Sequence, residues 1–143
     1  MRVLLDANIV LDVLLDRIPW QEEATAIFEA ARQSRLRAAV TSLTLANVYY
    51  VARRRVGSQQ ARNAVADCME SVWVLPVDRS TLEAALASPG PDLEDSIQIA
   101  AAEEAQLDAI VTRDPAGFRA CPIPVFTPRQ LLIKLMEADR EGR

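Results

Sequence analysis

The sequence predicts an α/β fold, with a central parallel sheet of four to five strands and helices covering both faces. Three observations predict it. Short apolar segments of strand length alternate with longer stretches at helical spacing from one end of the chain to the other. No internal repeat and no Pro/Gly/Ser-rich linker interrupts that alternation. With 143 residues, half of them apolar, the chain suits one domain over residues 1–143 with a sizeable core.

The elements follow in order. Arg2 to Asp6 reads as a short buried strand, and Asn8 to Asp16 as a helix carrying Ile9, Val10, Val13 and Leu14. Pro19 is the expected start of a second helix, with Ala24, Ile27, Phe28 and Ala31 at helical spacing. "RAAVTS" from Arg37 to Ser42 is the second strand, and Ser42 is the expected cap of the helix bearing Leu45, Val48, Tyr49 and Ala52. Gly57 stops that helix, and Ser58 is the expected cap of the next, which runs to about Ser71. "VWVLPVD" from Val72 to Asp78 is the third strand, where Pro76 argues for an edge position or a bulge. A short helix from Arg79 to Ala87 and the breaking stretch "SPGPDLED" precede a long alanine-rich helix reaching Gln106. "DAIVTRD" from Asp108 to Asp114 and "PVFTP" from Pro124 to Pro128 are the last strands. Pro128 then opens a final helix with Leu131, Leu132 and Leu135.

Composition narrows the chemistry. There is no histidine, which removes the commonest general base and the usual ligand of zinc or copper. Cys68 and Cys121 stand 53 positions apart, outside any zinc-like spacing, and read as unpaired small residues. The chain has 16 basic against 20 acidic residues, so wholesale phosphate binding through net charge is excluded. The basic residues are fifteen arginines and Lys134, with Arg53, Arg54 and Arg55 in one cluster. That cluster reads either as a solvated helix end or as a phosphate-contacting patch. Apolar runs such as Leu107 to Thr112 are far shorter than a membrane span, and the opening residues lack an export-leader pattern. The expected location is the cytoplasm, with no membrane partner.

In open parallel sheets, ligands sit just beyond the carboxyl ends of the strands. The strands deliver to that edge Asp6, then Thr41 and Ser42, then Asp78, then Thr112 and Asp114, while the long helix begins with Asp92, Glu94 and Asp95. Some of these acids have ordinary roles. Asp78 precedes "RST" and reads as a helix cap, and Asp92 and Asp95 have capping-box spacing. Asp16 reads as solvated, and Asp12 receives no clear assignment. Asp6 is harder to explain by packing, because it sits where a buried strand leaves the core. Carboxylates gathered together take up protons unless a cation neutralises them. Mg2+ or Mn2+ accepts such oxygens, and metal-dependent phosphodiester hydrolysis then needs no histidine.

Four segments, "LLDANIVLDVLLDR", "SLTLANVYYVARR", "DLEDSIQIAAA" and "AIVTRDPAGF", resemble in order and spacing the PIN domain, closest to bacterial ribonucleases of the VapC toxin type. The resemblance covers roughly Arg2 to Leu132. It implies a three-layer α/β/α sandwich that holds Mg2+ or Mn2+ and cleaves RNA. By position it makes Asp6, Asp95 and Asp114 the catalytic and metal-binding acids, with Asn8 as the companion of Asp6. Thr41, Ser42 and Thr112 match hydroxyls lining the same edge. It further implies the toxin of a type II toxin–antitoxin pair, with an antitoxin protein as partner. Two positions depart from the pattern. Asn47 stands where the family usually has a glutamate, and Gly117-Phe118 stands for a frequent Asp-Phe pair. Similar asparagine-bearing "N-x-Y-Y" sequences occur in one PIN subgroup, and Asp92 and Glu94 are candidates to restore the charge.

A haloacid-dehalogenase-type phosphotransferase needs a second aspartate two positions after Asp6, where Asn8 stands. Both it and a response-regulator receiver need a suitably placed lysine, and Lys134 lies in the last helix. A PIN-like protein that binds RNA or an antitoxin without efficient cleavage is the principal alternative. Finally, Tyr49, Tyr50, Val51 and Met69 give the helices from Leu43 to Ser71 more apolar surface than one sheet face needs, which predicts a symmetric homodimer through this region.

Overall fold

A computed structural model describes residues 1–143. Its strands are β1 (Arg2–Leu5), β2 (Arg37–Thr41), β3 (Trp73–Leu75), β4 (Ala109–Val111) and β5 (Val125–Phe126), all parallel, in the spatial order β3-β2-β1-β4-β5. The helices are α1 (Ala7–Leu14), α2 (Gln21–Arg32), α3 (Ser42–Val56), α4 (Ser58–Ser71), α5 (Arg79–Ala87), α6 (Leu93–Glu104) and α7 (Pro128–Glu141). The expected α/β/α sandwich is the architecture found, with five strands.

The middle of the sheet explains the opening sequence. Val3, Leu4 and Leu5 are all fully buried, because β1 has a strand on each side and helices above and below. Side chains alternate between faces along a strand. Val3 and Leu5 therefore join Val40 and Val111 in packing against Ile9, Ile27, Val48 and Leu131 from α1, α2, α3 and α7. Leu4 joins Ala39 and Ile110 on the opposite face, against Ala101 and Ala102 of α6. A continuous apolar run is what a strand buried on both faces requires.

Several boundaries differ from the sequence reading, each for a local reason. Helix α1 starts at Ala7, because the Asp6 side chain accepts the Ala7 N–H at 2.7 Å and caps the helix. Thr41, rather than Ser42, caps α3: it is the last extended residue, and its hydroxyl accepts the Thr44 N–H at 3.0 Å. Ser58 lies inside α4 rather than capping it. Gly57, at φ +83°, turns the chain in a single residue and occupies both helix ends. Helix α2 begins two residues after Pro19. Pro76 falls beyond β3, which is an edge strand as expected. A 3-10 turn over Pro115–Phe118, absent from the sequence reading, buries Phe118 on the α6 side of the sheet.

Other expectations are met. Asp78 caps α5, accepting from the Thr81 backbone and hydroxyl and from Ser80, and these hydrogen bonds hold its carboxyl below the ordinary 3.8. Asp92 caps α6, accepting the Asp95 N–H at 3.0 Å. Both cysteines are free, and burial raises the Cys68 thiol to about 11.

Strand order fixes where a site can form. From β1 the chain moves outward through β2 to β3, then crosses back to place β4 and β5 on the other side of β1. The order reverses between β1 and β4, and at such a switch point the connections leave a crevice at the carboxyl edge. The Asp6 N–H donates to the Val111 carbonyl at 3.0 Å, so the ends of β1 and β4 meet there.

Candidate active site

Asp6 is the first residue past β1, at the switch point, and both of its oxygens are engaged. Oδ1 accepts from the Ala7 N–H at 2.7 Å and from the Gln98 amide at 3.1 Å. Oδ2 accepts from the Thr112 hydroxyl at 2.7 Å and from the Asn8 amide at 3.3 Å. The same Asn8 amide lies 3.4 Å from the Thr112 hydroxyl oxygen, which also accepts the Asp114 N–H at 3.0 Å. Donors from α1, α6 and the end of β4 thus converge on one carboxylate.

Asp95, in the first turn of α6, is partly buried beside it. Its carboxyl is pushed up from the ordinary 3.8 to about 6, first by burial and then by the negative charges of Asp92, Asp6, Glu94 and Asp114. Four acids are therefore close enough to Asp95 to repel its charge. Gly117 adds a steric limit: a Cβ there would lie 2.7 Å from Asp95 Oδ2, so the residue that replaces the family's aspartate is also the one that leaves room for Asp95. No group of three or more acids closes around a single point in this structure. The donor set suits a hard cation held through one or two carboxylates with waters completing its shell, as Mg2+ is commonly held. The repulsion at Asp95 is what such a cation would relieve.

Two features escaped the sequence reading. Asp12 is fully buried on α1, where Arg113 pairs with it through two hydrogen bonds of 2.6 and 3.2 Å, and Arg17 approaches to 3.9 Å. The Arg113 guanidinium also stacks over Trp20, 4.0 Å from the ring centre. Arg113 lies between Thr112 and Asp114, and its N–H donates to Asn8 Oδ1 at 3.4 Å, so the pair pins the loop after β4 onto α1. Removing one partner of such a buried pair leaves an uncompensated charge and costs about 3–5 kcal/mol. A lone acid inside the apolar run "NIVLDVLL" is the signal that could have revealed it. The second feature is Gln98, which is 1% exposed and donates to Asp6.

The remaining expected residues divide. Asn47, Glu94 and Arg54 line one cleft of about 350 Å³ beside Ala7, the neighbour of Asp6. Thr41 is buried and spends its hydroxyl on α3. Ser42 is exposed and lines a different, mostly apolar groove between α3 and α4, beside Tyr49 and Met69, so it does not join the acids. Arg53, Arg54 and Arg55 are exposed in the last turn of α3, and Arg53 stacks on Tyr50.

The PIN domain profile matches residues 2–116. No curated protein matches the sequence. Among solved structures, DNA-bound VapBC from Salmonella typhimurium superposes with a TM-score of 0.68 at 19% identity, over 90% of this chain and 98% of the other. VapC20 of Mycobacterium tuberculosis, described as a Sarcin-Ricin loop cleaving toxin, gives 0.67 at 13% identity over 82% and 94%. A toxin–antitoxin complex from Klebsiella pneumoniae gives 0.66 at 24% identity over 88% and 97%. At these identities the likeness is one of fold.

The crowding of Asp95 has a pH signature in the metal-free protein. A carboxyl raised from 3.8 to about 6 on folding contributes stability that is fully present below the lower value and is lost as pH rises through the higher one. Asp95→Asn is expected to remove that loss, so its unfolding free energy should gain on wild type between about pH 4 and 6. Urea denaturation in chelator across that range measures it, and parallel pH profiles for the two proteins would contradict the crowding.

Proposed function

The chain belongs to the PIN-domain family, and from that membership we propose a divalent-metal-dependent endoribonuclease that hydrolyses RNA phosphodiester bonds. The observation that carries the reading is the meeting of Asp6 and the crowded Asp95 at the sheet's switch point, beside Asp114. We take residues 1–143 as one PIN-like domain. A bound Mg2+ or Mn2+ would supply water activation and offset the charge that builds on the phosphate during cleavage. In this reading Asp6 and Asp95 are the principal holding groups. Asp114 stands at the rim, positioned by its N–H bond to Thr112. Asn8 and Thr112 orient Asp6, and Asp92 fixes the start of α6 that presents Asp95.

The proposed biological setting is the toxin of a type II toxin–antitoxin pair, acting in the cytoplasm with an antitoxin as partner. The solved structures that share this fold include VapBC and other toxin–antitoxin complexes, and no helix is long and apolar enough to cross a membrane. Asn47 sustains a second reading, a PIN-like protein that binds RNA or antitoxin with little turnover. It shares its cleft with Glu94, which can restore a negative charge there, and this favours the enzyme.

Two outcomes are expected. Asp6→Asn keeps the shape but removes the charge, so Mn2+-dependent RNA cleavage should fall to background. Asp78→Asn, at a cap asparagine also serves, should cleave as wild type does. Cleavage by wild type that persists in chelator, or an Asp6→Asn variant of undiminished activity, would contradict the metal reading.

Replacing Arg53, Arg54 and Arg55 together with glutamine should weaken RNA binding and shallow its salt dependence by up to about three phosphate contacts. Unchanged binding would make the cluster a solvated helix end.

We also propose that α3 and α4 form the face of a symmetric homodimer. Tyr50 and Met69 are 56% and 50% exposed there, beside an apolar groove of about 590 Å³. Light scattering at micromolar concentration should give twice the 15.8 kDa chain mass, and the monomer mass would contradict it.

A further inference from the structure

We infer that Gln98 is a positioning residue of the site, holding the Asp6 carboxylate at a set place relative to Asp95; this rests on the cation-binding reading above. Gln98 lies on α6 three residues after Asp95, so the two side chains share a helix face. Its Nε2 donates to Asp6 Oδ1 at 3.1 Å, and it is the one donor to Asp6 that comes from α6. The other three come from α1 and the end of β4. Gln98 is therefore the direct tie between the strand that carries Asp6 and the helix that carries Asp95.

The other end of the same amide has no partner. Gln98 Oε1 is buried and accepts no hydrogen bond, in a side chain that is 1% exposed. Reversing the amide would aim Oε1 at Asp6 Oδ1, an acceptor against an acceptor, so the N–H must face the carboxylate and the unmatched oxygen must face the interior. A buried acceptor without a donor lowers stability. Gln98 is flanked by Ile97 and Ile99, and a methionine of similar length would fill its space without that penalty. Packing alone therefore favours an apolar residue at this position. The hydrogen bond to Asp6 is what the amide supplies and methionine does not. Groups that hydrogen-bond a metal-ligating carboxylate set its orientation, and their loss weakens metal affinity about 10–100-fold.

The test compares Mn2+ binding by calorimetry with metal-free melting temperature, on the full chain. For Gln98→Met, the Mn2+ dissociation constant should rise about tenfold, while the metal-free melting temperature stays level or rises. A merely structural role predicts the reverse: lower melting with unchanged affinity, and that result overturns the inference. Gln98→Asn keeps a polar amide one carbon too short to reach Asp6, and should lose the same affinity. If Gln98→Met does not fold, this variant decides alone, and wild-type affinity in it overturns the inference. Wild-type protein that takes up no Mn2+ overturns the cation reading and this inference with it. Wild-type binding that Gln98→Met leaves intact removes the inference only.

Discussion

The Asp6 carboxylate receives hydrogen bonds from its own helix, from the hydroxyl after β4 and from the buried amide of α6. These segments follow different connections and lie on opposite faces of the sheet. They meet because β1 is central and the strand order reverses beside it. These donors give the carboxylate polar partners at the end of a strand whose preceding three residues, Val3, Leu4 and Leu5, are fully buried. The apolar run of β1 and the acid that ends it are therefore one design. The run places the strand in the middle of the sheet, beside the point where the strand order reverses.

Around this point the protein accepts costs that stability alone would avoid. Asp95 sits among four other acids, Gln98 buries an unmatched oxygen, and Asp12 is a charge with no exposure at all. Departures of this kind from local consistency concentrate at functional sites. Asp12 differs from the other two because its charge is answered. Arg113 neutralises it and, stacked on Trp20, fastens the loop carrying Thr112 and Asp114 to α1. The crowding at Asp95 has no such answer within the chain, since no lysine or arginine makes an ion pair with it.

Much of the fold was legible because parallel sheets write themselves as short apolar runs between amphipathic helices. The acids at the carboxyl edge were legible because a strand that ends on a carboxylate is poorly explained by packing. Side-chain direction was less so. The cap of α3 is Thr41, one position before the Ser42 that the sequence suggests, and one position on a helix is a rotation of about 100°. With Thr41 as the cap, Ser42 lines the α3/α4 groove. The pairings that organise the site were beyond sequence patterns. Gln98 and Asp6 are 92 residues apart, and Arg113 and Asp12 are 101. Only the path of the sheet brings them together. Gly117 shows the same limit, since its closeness to Asp95 appears only once the 3-10 turn is seen.

The central claim is that Asp6 and Asp95 are brought together to share a divalent cation. Anomalous diffraction from crystals grown with Mn2+ tests it most directly. The account predicts a peak within coordination distance of both carboxylates, at the switch point between β1 and β4. A peak bound elsewhere, or none at millimolar Mn2+, would contradict it.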